Sequence, residues 1–125
     1  MSGVYSDGFA APELIVQAAP ADVARTLCME VFVPKWLPGR SVRVRAFRAG
    51  APCGDEVKFA RGEVSCFSLE LDRDGGRYCL SFIPQCNLAG LTAGKDTRVI
   101  GAKLGLCEIK NADGTSVELF SKVDQ

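Results

Sequence analysis

The chain has 125 residues, fifteen basic side chains against fifteen acidic ones, and no histidine. That length suits one domain, 1–125, with a core large enough to fold without a metal or disulfide, and the balanced charge supplies no field to attract nucleic acid or an anionic membrane. Without imidazole the Ser-His-Asp and Cys-His nucleophiles are excluded, and no G-x-S-x-G elbow or phosphate-cradling loop is present.

Residues 1–8 show no basic region leading into an apolar one. No segment approaches the roughly 18 uninterrupted apolar residues of a membrane span. The expected compartment is the cytoplasm, with no membrane partner. Tyr5, Ser6, Asp7, Gly8 and Phe9 then lead into a first short strand at 13–18, with Leu14 and Val16 inward. One helical turn at 22–26 is the most helix expected.

The dominant period from there on is two. In 26–33, Leu27, Met29, Val31 and Val33 share one face, and Cys28, Glu30 and Phe32 the other. Residues 34–39 form a turn-rich loop carrying Trp36 between Pro34 and Pro38. In 41–48, Val42, Val44 and Ala46 alternate with Arg43, Arg45 and Phe47, a half-buried strand. A turn is expected at 50–54 and a short strand at 56–60.

Segments 63–71 and 76–83 read as a hairpin closed by Asp72, Arg73, Asp74 and Gly75. Pairing Leu69 with Tyr78 and Phe67 with Leu80 puts the large apolar side chains on one face, which selects a four-residue loop. Residues 84–95 are the one long irregular segment. In 98–110 the inward set moves from Ile100, Ala102, Leu104 and Leu106 to Cys107 and Ile109, as a bulge near Gly105 would cause. A turn at 111–114 leads to a last strand, 116–122. About eight short strands imply an all-β fold, a two-sheet antiparallel β-sandwich, jelly-roll-like.

The run D-x-R-x-x-G-x-x-L, here Asp96, Arg98, Gly101 and Leu104, resembles that of a β-sandwich accessory domain found in bacterial glycosyltransferases and surface-polysaccharide assembly proteins. The opening, with Tyr5, Asp7, Gly8 and Phe9, is similar to that module's own, where tryptophan often stands in place of Phe9. The resemblance implies a carbohydrate-associated module without catalysis of its own. Its expected partner is a carbohydrate or a glycosyltransferase domain. The contrasting expectation is a structural sandwich that associates with its own copies as a homo-oligomer.

Residues two apart on a strand share a face, so Asp96 and Arg98 can pair and fix the long loop where it re-enters the sheet, or can bind a sugar hydroxyl or carboxylate. Gly101 reads as a close backbone approach. Sugar recognition needs a flat ring with planar polar groups beside it, and Trp36, Tyr5, Asp7, Arg40, Gln85 and Asn87 are the candidates for carbohydrate binding. Trp36 either stands at the surface or caps one end of the core.

Other readings are bland. Asp72 and Asp74 lack the further ligands of a calcium loop, so 72–75 is a turn. Arg43 and Arg45 lie on one face of a solvated strand, with Glu30 or Glu70 expected to neutralise them. Six cysteines occur without a C-x-x-C pair, so no zinc or other metal and no cofactor is expected. Cys28, Cys66, Cys79 and Cys107 in strands read as small buried hydrophobes. Two carboxylates opposed across a cleft could hydrolyse a glycoside, but no pair stands out.

Overall fold

A computed structural model describes residues 1–39 and 41–121. It is an antiparallel β-sandwich. One sheet holds β1 (Ser2–Val4), β2 (Ala10–Ala18), β4 (Ser41–Arg48), β5 (Ala51–Ala60) and β7 (Gly76–Ile83), in the order β1-β2-β7-β4-β5. The other holds β3 (Arg25–Phe32), β6 (Val64–Leu71), β10 (Lys103–Asn111) and β11 (Ser116–Phe120), in the order β11-β10-β3-β6. A small ladder pairs β8 (Cys86–Asn87) with β9 (Val99–Ile100), and one helical turn, α1 (Leu88–Leu91), follows β8. Among the described residues no helix is long and apolar enough to cross a membrane.

The period-two segments bury the faces their alternation specifies. Val42, Val44 and Ala46 of β4 and Leu27, Met29 and Val31 of β3 enter one core, all at most 3% exposed. Burial of this kind is the main term favouring the layered arrangement, at roughly 25 cal/mol per Å² of apolar surface. The bulge expected near Gly105 is present: the β3–β10 register slips between Leu104 and Cys107. Leu106, released from the ladder, donates its N–H to Glu30 Oε1 at 3.0 Å.

The expected hairpin of 63–71 with 76–83 is not formed. β6 pairs with β3, and β7 lies between β2 and β4 in the opposite sheet. The loop 72–75 carries the chain from one layer to the other. Phe67, Leu69, Tyr78 and Leu80 are all buried as expected, but they enter the core from facing sheets. Alternation determines which face a strand buries and leaves its lateral neighbour open, since apolar faces are satisfied equally well side by side or face to face.

What turns the chain out of plane is the corner itself. Gly75 and Gly76 both take positive φ, 74° and 130°, and a Cβ on Gly75 would stand 2.3 Å from the Ala18 carbonyl oxygen. Arg48 holds the corner with an ion pair to Asp72 at 2.9 Å and a hydrogen bond to the Gly75 carbonyl. Asp72 donates its N–H to the Tyr78 hydroxyl at 2.8 Å. The Asp72 carboxylate is thereby committed to Arg48 and to the Asp74 N–H.

Several smaller expectations change. The turn at 50–54 is instead the two-residue loop Ala49–Gly50, with φ of 53° and 79°, and β5 starts at Ala51. Two left-handed residues match the twist of the strands they join. No helical turn forms at 22–26, because β3 begins at Arg25. Residues 84–95 are partly ordered by β8 and α1. Arg43 is neutralised by Glu56 of the adjacent β5, at 3.5 Å. Glu30 and Glu70 cannot reach it, because their strands belong to the other sheet. All six cysteines are free; of the four expected to be buried only Cys107 is, Cys28 and Cys79 being half-buried and Cys66 exposed because it points outward from an edge strand.

Candidate functional site

The two motifs that stand 90 residues apart in sequence form one structural unit. Tyr5 accepts the Gly8 N–H at 2.9 Å and donates its own to the Phe9 carbonyl at 2.8 Å, closing a tight turn. Beyond it the chain runs antiparallel to 101–104. Ala10 donates to Ala102 at 2.8 Å, Gly101 to Ala10 at 2.9 Å and Leu104 to Gly8 at 2.7 Å. Gly101 is required here by space: a Cβ would lie 2.4 Å from Cβ of Phe82.

Arg98 joins the two motifs through its side chain. Nη1 and Nη2 donate to the two carboxylate oxygens of Asp7 at 3.1 and 2.8 Å. Nε and Nη2 donate to Asp96 at 2.8 to 3.2 Å. The guanidinium lies over the Tyr5 ring, 4.7 Å from its centroid. Of five guanidinium N–H groups these contacts engage four, leaving one on Nη1. Hydrogen bonds from Arg98 hold both carboxyls below the usual carboxylate range, and the same bonds raise the guanidinium further.

Beside this cluster opens a cleft of about 420 Å³ lined by Phe9, Trp36, Leu88, Leu91, Thr92, Asp96 and Arg98. Trp36 is 53% exposed while its neighbour Leu37 is 2% exposed. Leu37 anchors the loop in the core, and the indole is presented outward. The Trp36 ring meets Phe9 at 5.7 Å and 58°. Leu91, half exposed, adds a second apolar wall. Thr92 braces the floor, its hydroxyl donating to the Leu88 carbonyl at 2.8 Å and accepting the Asp96 N–H at 2.9 Å.

The sequence candidates divide. Trp36, Tyr5 and Asp7 gather around Arg98, with Trp36 in the cleft and Tyr5 behind the guanidinium. Asn87 caps α1, its Oδ1 accepting the Ala89 N–H at 2.9 Å. Gln85 is exposed in a separate groove beside Pro12 and Glu13. Arg40 lies outside the described residues. Sequence reasoning missed Leu88, Leu91 and Thr92 as walls. The cap at Asn87 followed by apolar residues three apart was the available signal.

Four larger depressions span about 490 to 590 Å³, and two of them, of about 590 and 510 Å³, lie on the outer sheet faces. Each of these two contains a phenylalanine rather than an outstanding indole. The Phe47 ring is covered by Arg45 at 5.6 Å, and Glu30 beside Phe32 is committed to Leu106. The Trp36 cleft alone sets an exposed tryptophan against a fixed ionic cluster.

Chemically this arrangement suits recognition. A glycosidase needs one carboxyl protonated as general acid, whereas Arg98 keeps both Asp7 and Asp96 ionised. Burial raises the thiols of Cys53, Cys79, Cys86 and Cys107, the last to about 12, so none of these four is a thiolate at neutral pH.

No family model, curated protein or solved structure matches the chain.

Proposed function

We propose that this chain is a non-catalytic β-sandwich module that holds a carbohydrate against Trp36, in association with a glycosyltransferase of bacterial surface-polysaccharide assembly. The observation that carries the reading is the exposed Trp36 indole beside the Asp7–Arg98–Asp96 cluster in one concave cleft. An indole offers a flat apolar surface to the C–H face of a pyranose. The ionised carboxylates retain acceptor capacity for hydroxyls, and the spare Nη1 N–H of Arg98 is a donor. The resemblance of the two motifs supplies the glycosyltransferase association. A cytoplasmic setting accords with six unpaired thiols.

The test is a glycan-array and nucleotide-sugar screen on the purified chain, followed by titration calorimetry on any positive. Trp36→Ala is expected to weaken binding roughly tenfold or more, since one aromatic contact of about 1.4 kcal/mol is a factor of ten. Its melting curve should match that of the wild type, because the indole is half in solvent. Unfolding of Trp36→Ala would make the ring a core cap and end the proposal.

A further inference from the structure

The four sheet edges are not alike. β1 has three residues and a register shift against β2. β5 carries Pro52, Gly54 and a run of charge at Asp55, Glu56 and Lys58, and slips register against β4. β11 has five residues with Glu118 at its middle. Short strands, prolines, bulges and charges are the devices by which natural sheets keep their edges from pairing with other chains. β6 has only one of them, a single charge at Glu70 near its end. It has eight residues, pairs with β3 continuously from Val64↔Phe32 to Leu71↔Arg25, and contains neither Pro, Gly nor Lys.

Its open backbone groups can be assigned. Gly62 donates to the Val33 carbonyl and Val33 to the Glu63 carbonyl, so Val33 turns its hydrogen-bonding groups toward β6. Every second residue of a strand points the same way. Val31, Met29, Leu27 and Arg25 therefore bond Ser65, Phe67, Leu69 and Leu71. The N–H and C=O groups of Val64, Cys66, Ser68 and Glu70 face away from β3. Among the described residues nothing bonds them, and all four are exposed, Val64 at 65%.

We propose that β6 is a self-association edge, along which the protein dimerises by antiparallel pairing with β6 of a second copy, joining two four-stranded sheets into one of eight. Self-complementarity favours a second copy over an unrelated strand. A two-fold axis at Cys66 sets Cys66 against Cys66 of the copy and Val64 against its Ser68, so the centre of the interface carries no charge. Glu70, the one charged residue of β6, then falls opposite Gly62. This surface lies apart from the Trp36 cleft and does not depend on the sugar-binding reading.

Sedimentation equilibrium of the purified chain is the test, alongside Cys66→Lys, which opposes two cations at the two-fold, and Ser68→Pro, which removes an outward N–H without touching a bond to β3. A concentration-dependent dimer in the wild type is expected, weakened at least tenfold in both variants while their circular dichroism and melting stay close to wild type. If one variant does not fold, the other decides. A wild type that stays monomeric at its solubility limit overturns the proposal and leaves the edge to a strand of another protein. A dimer that survives in folded Cys66→Lys, or that dissociates in Val117→Lys on β11 instead, overturns it as well.

Discussion

Arg48 and Arg98 each lay a guanidinium over a tyrosine ring and bind an aspartate, at opposite ends of β7, yet only Arg98 faces an open cleft. Around Arg48 the tyrosine is closed off. Tyr78 is 2% exposed, its hydroxyl accepts the Asp72 N–H, and Arg48 bonds both Asp72 and the Gly75 carbonyl. Around Arg98 the tyrosine is 37% exposed, two carboxylates share one cation, and Trp36, tilted against Phe9, is 53% exposed. The same residue types make an architectural corner where the ring is buried and its hydroxyl is bonded. They make a candidate binding site where the ring and a neighbouring indole stay exposed beside the ion cluster.

The largest effect is expected at the closed corner. Gly75→Ala adds a Cβ against the Ala18 carbonyl at a left-handed φ, and should cost about 3 kcal/mol or more, read as a loss of urea midpoint. Wild-type stability there would show that the corner is soft and dissolve the contrast.

Next come the clamps themselves. Arg48→Ala and Arg98→Ala should each lower Tm by several degrees, and Arg98→Ala alone should also impair any sugar titration. Equal loss of binding in both would mean that the cleft senses global stability only.

A smaller effect lies in acid. Asp7 and Asp96 have folded pKa values below their unfolded ones. Their stabilisation is complete above the unfolded value, about 3.9, and is lost as pH falls through the folded values. Removing the cation in Arg98→Ala should flatten the stability profile below about pH 4. An unchanged slope would show that other carboxylates dominate acid unfolding.

The smallest effect is Trp36→Ala, which should leave Tm almost unchanged. A drop as large as that of Arg98→Ala would move the indole from the site to the core.

Which of these features were legible beforehand follows from range. The inward faces of β3 and β4 and the bulge at Gly105 are local patterns, and the structure realises them. The Asp96–Arg98 pair is two residues apart and was readable as a same-face contact. Asp7 reaches the same guanidinium from 91 residues away, and nothing in a two-residue period encodes that. The pairing of β6 was misread for the same reason: apolar alternation carries no information about lateral neighbours. Trp36 was open to both readings until the burial of Leu37 decided which way the loop turned.

The corner 72–75 also bears on how the chain acquires its fold. Because β6 and β7 part into different layers, the four-residue link 72–75 yields no early hairpin, and the native contacts of these two strands join distant stretches. Chains of high contact order refold in roughly milliseconds to seconds. During that interval an eight-residue strand with a single charge stands without its partner, so refolding yield should fall as protein concentration rises.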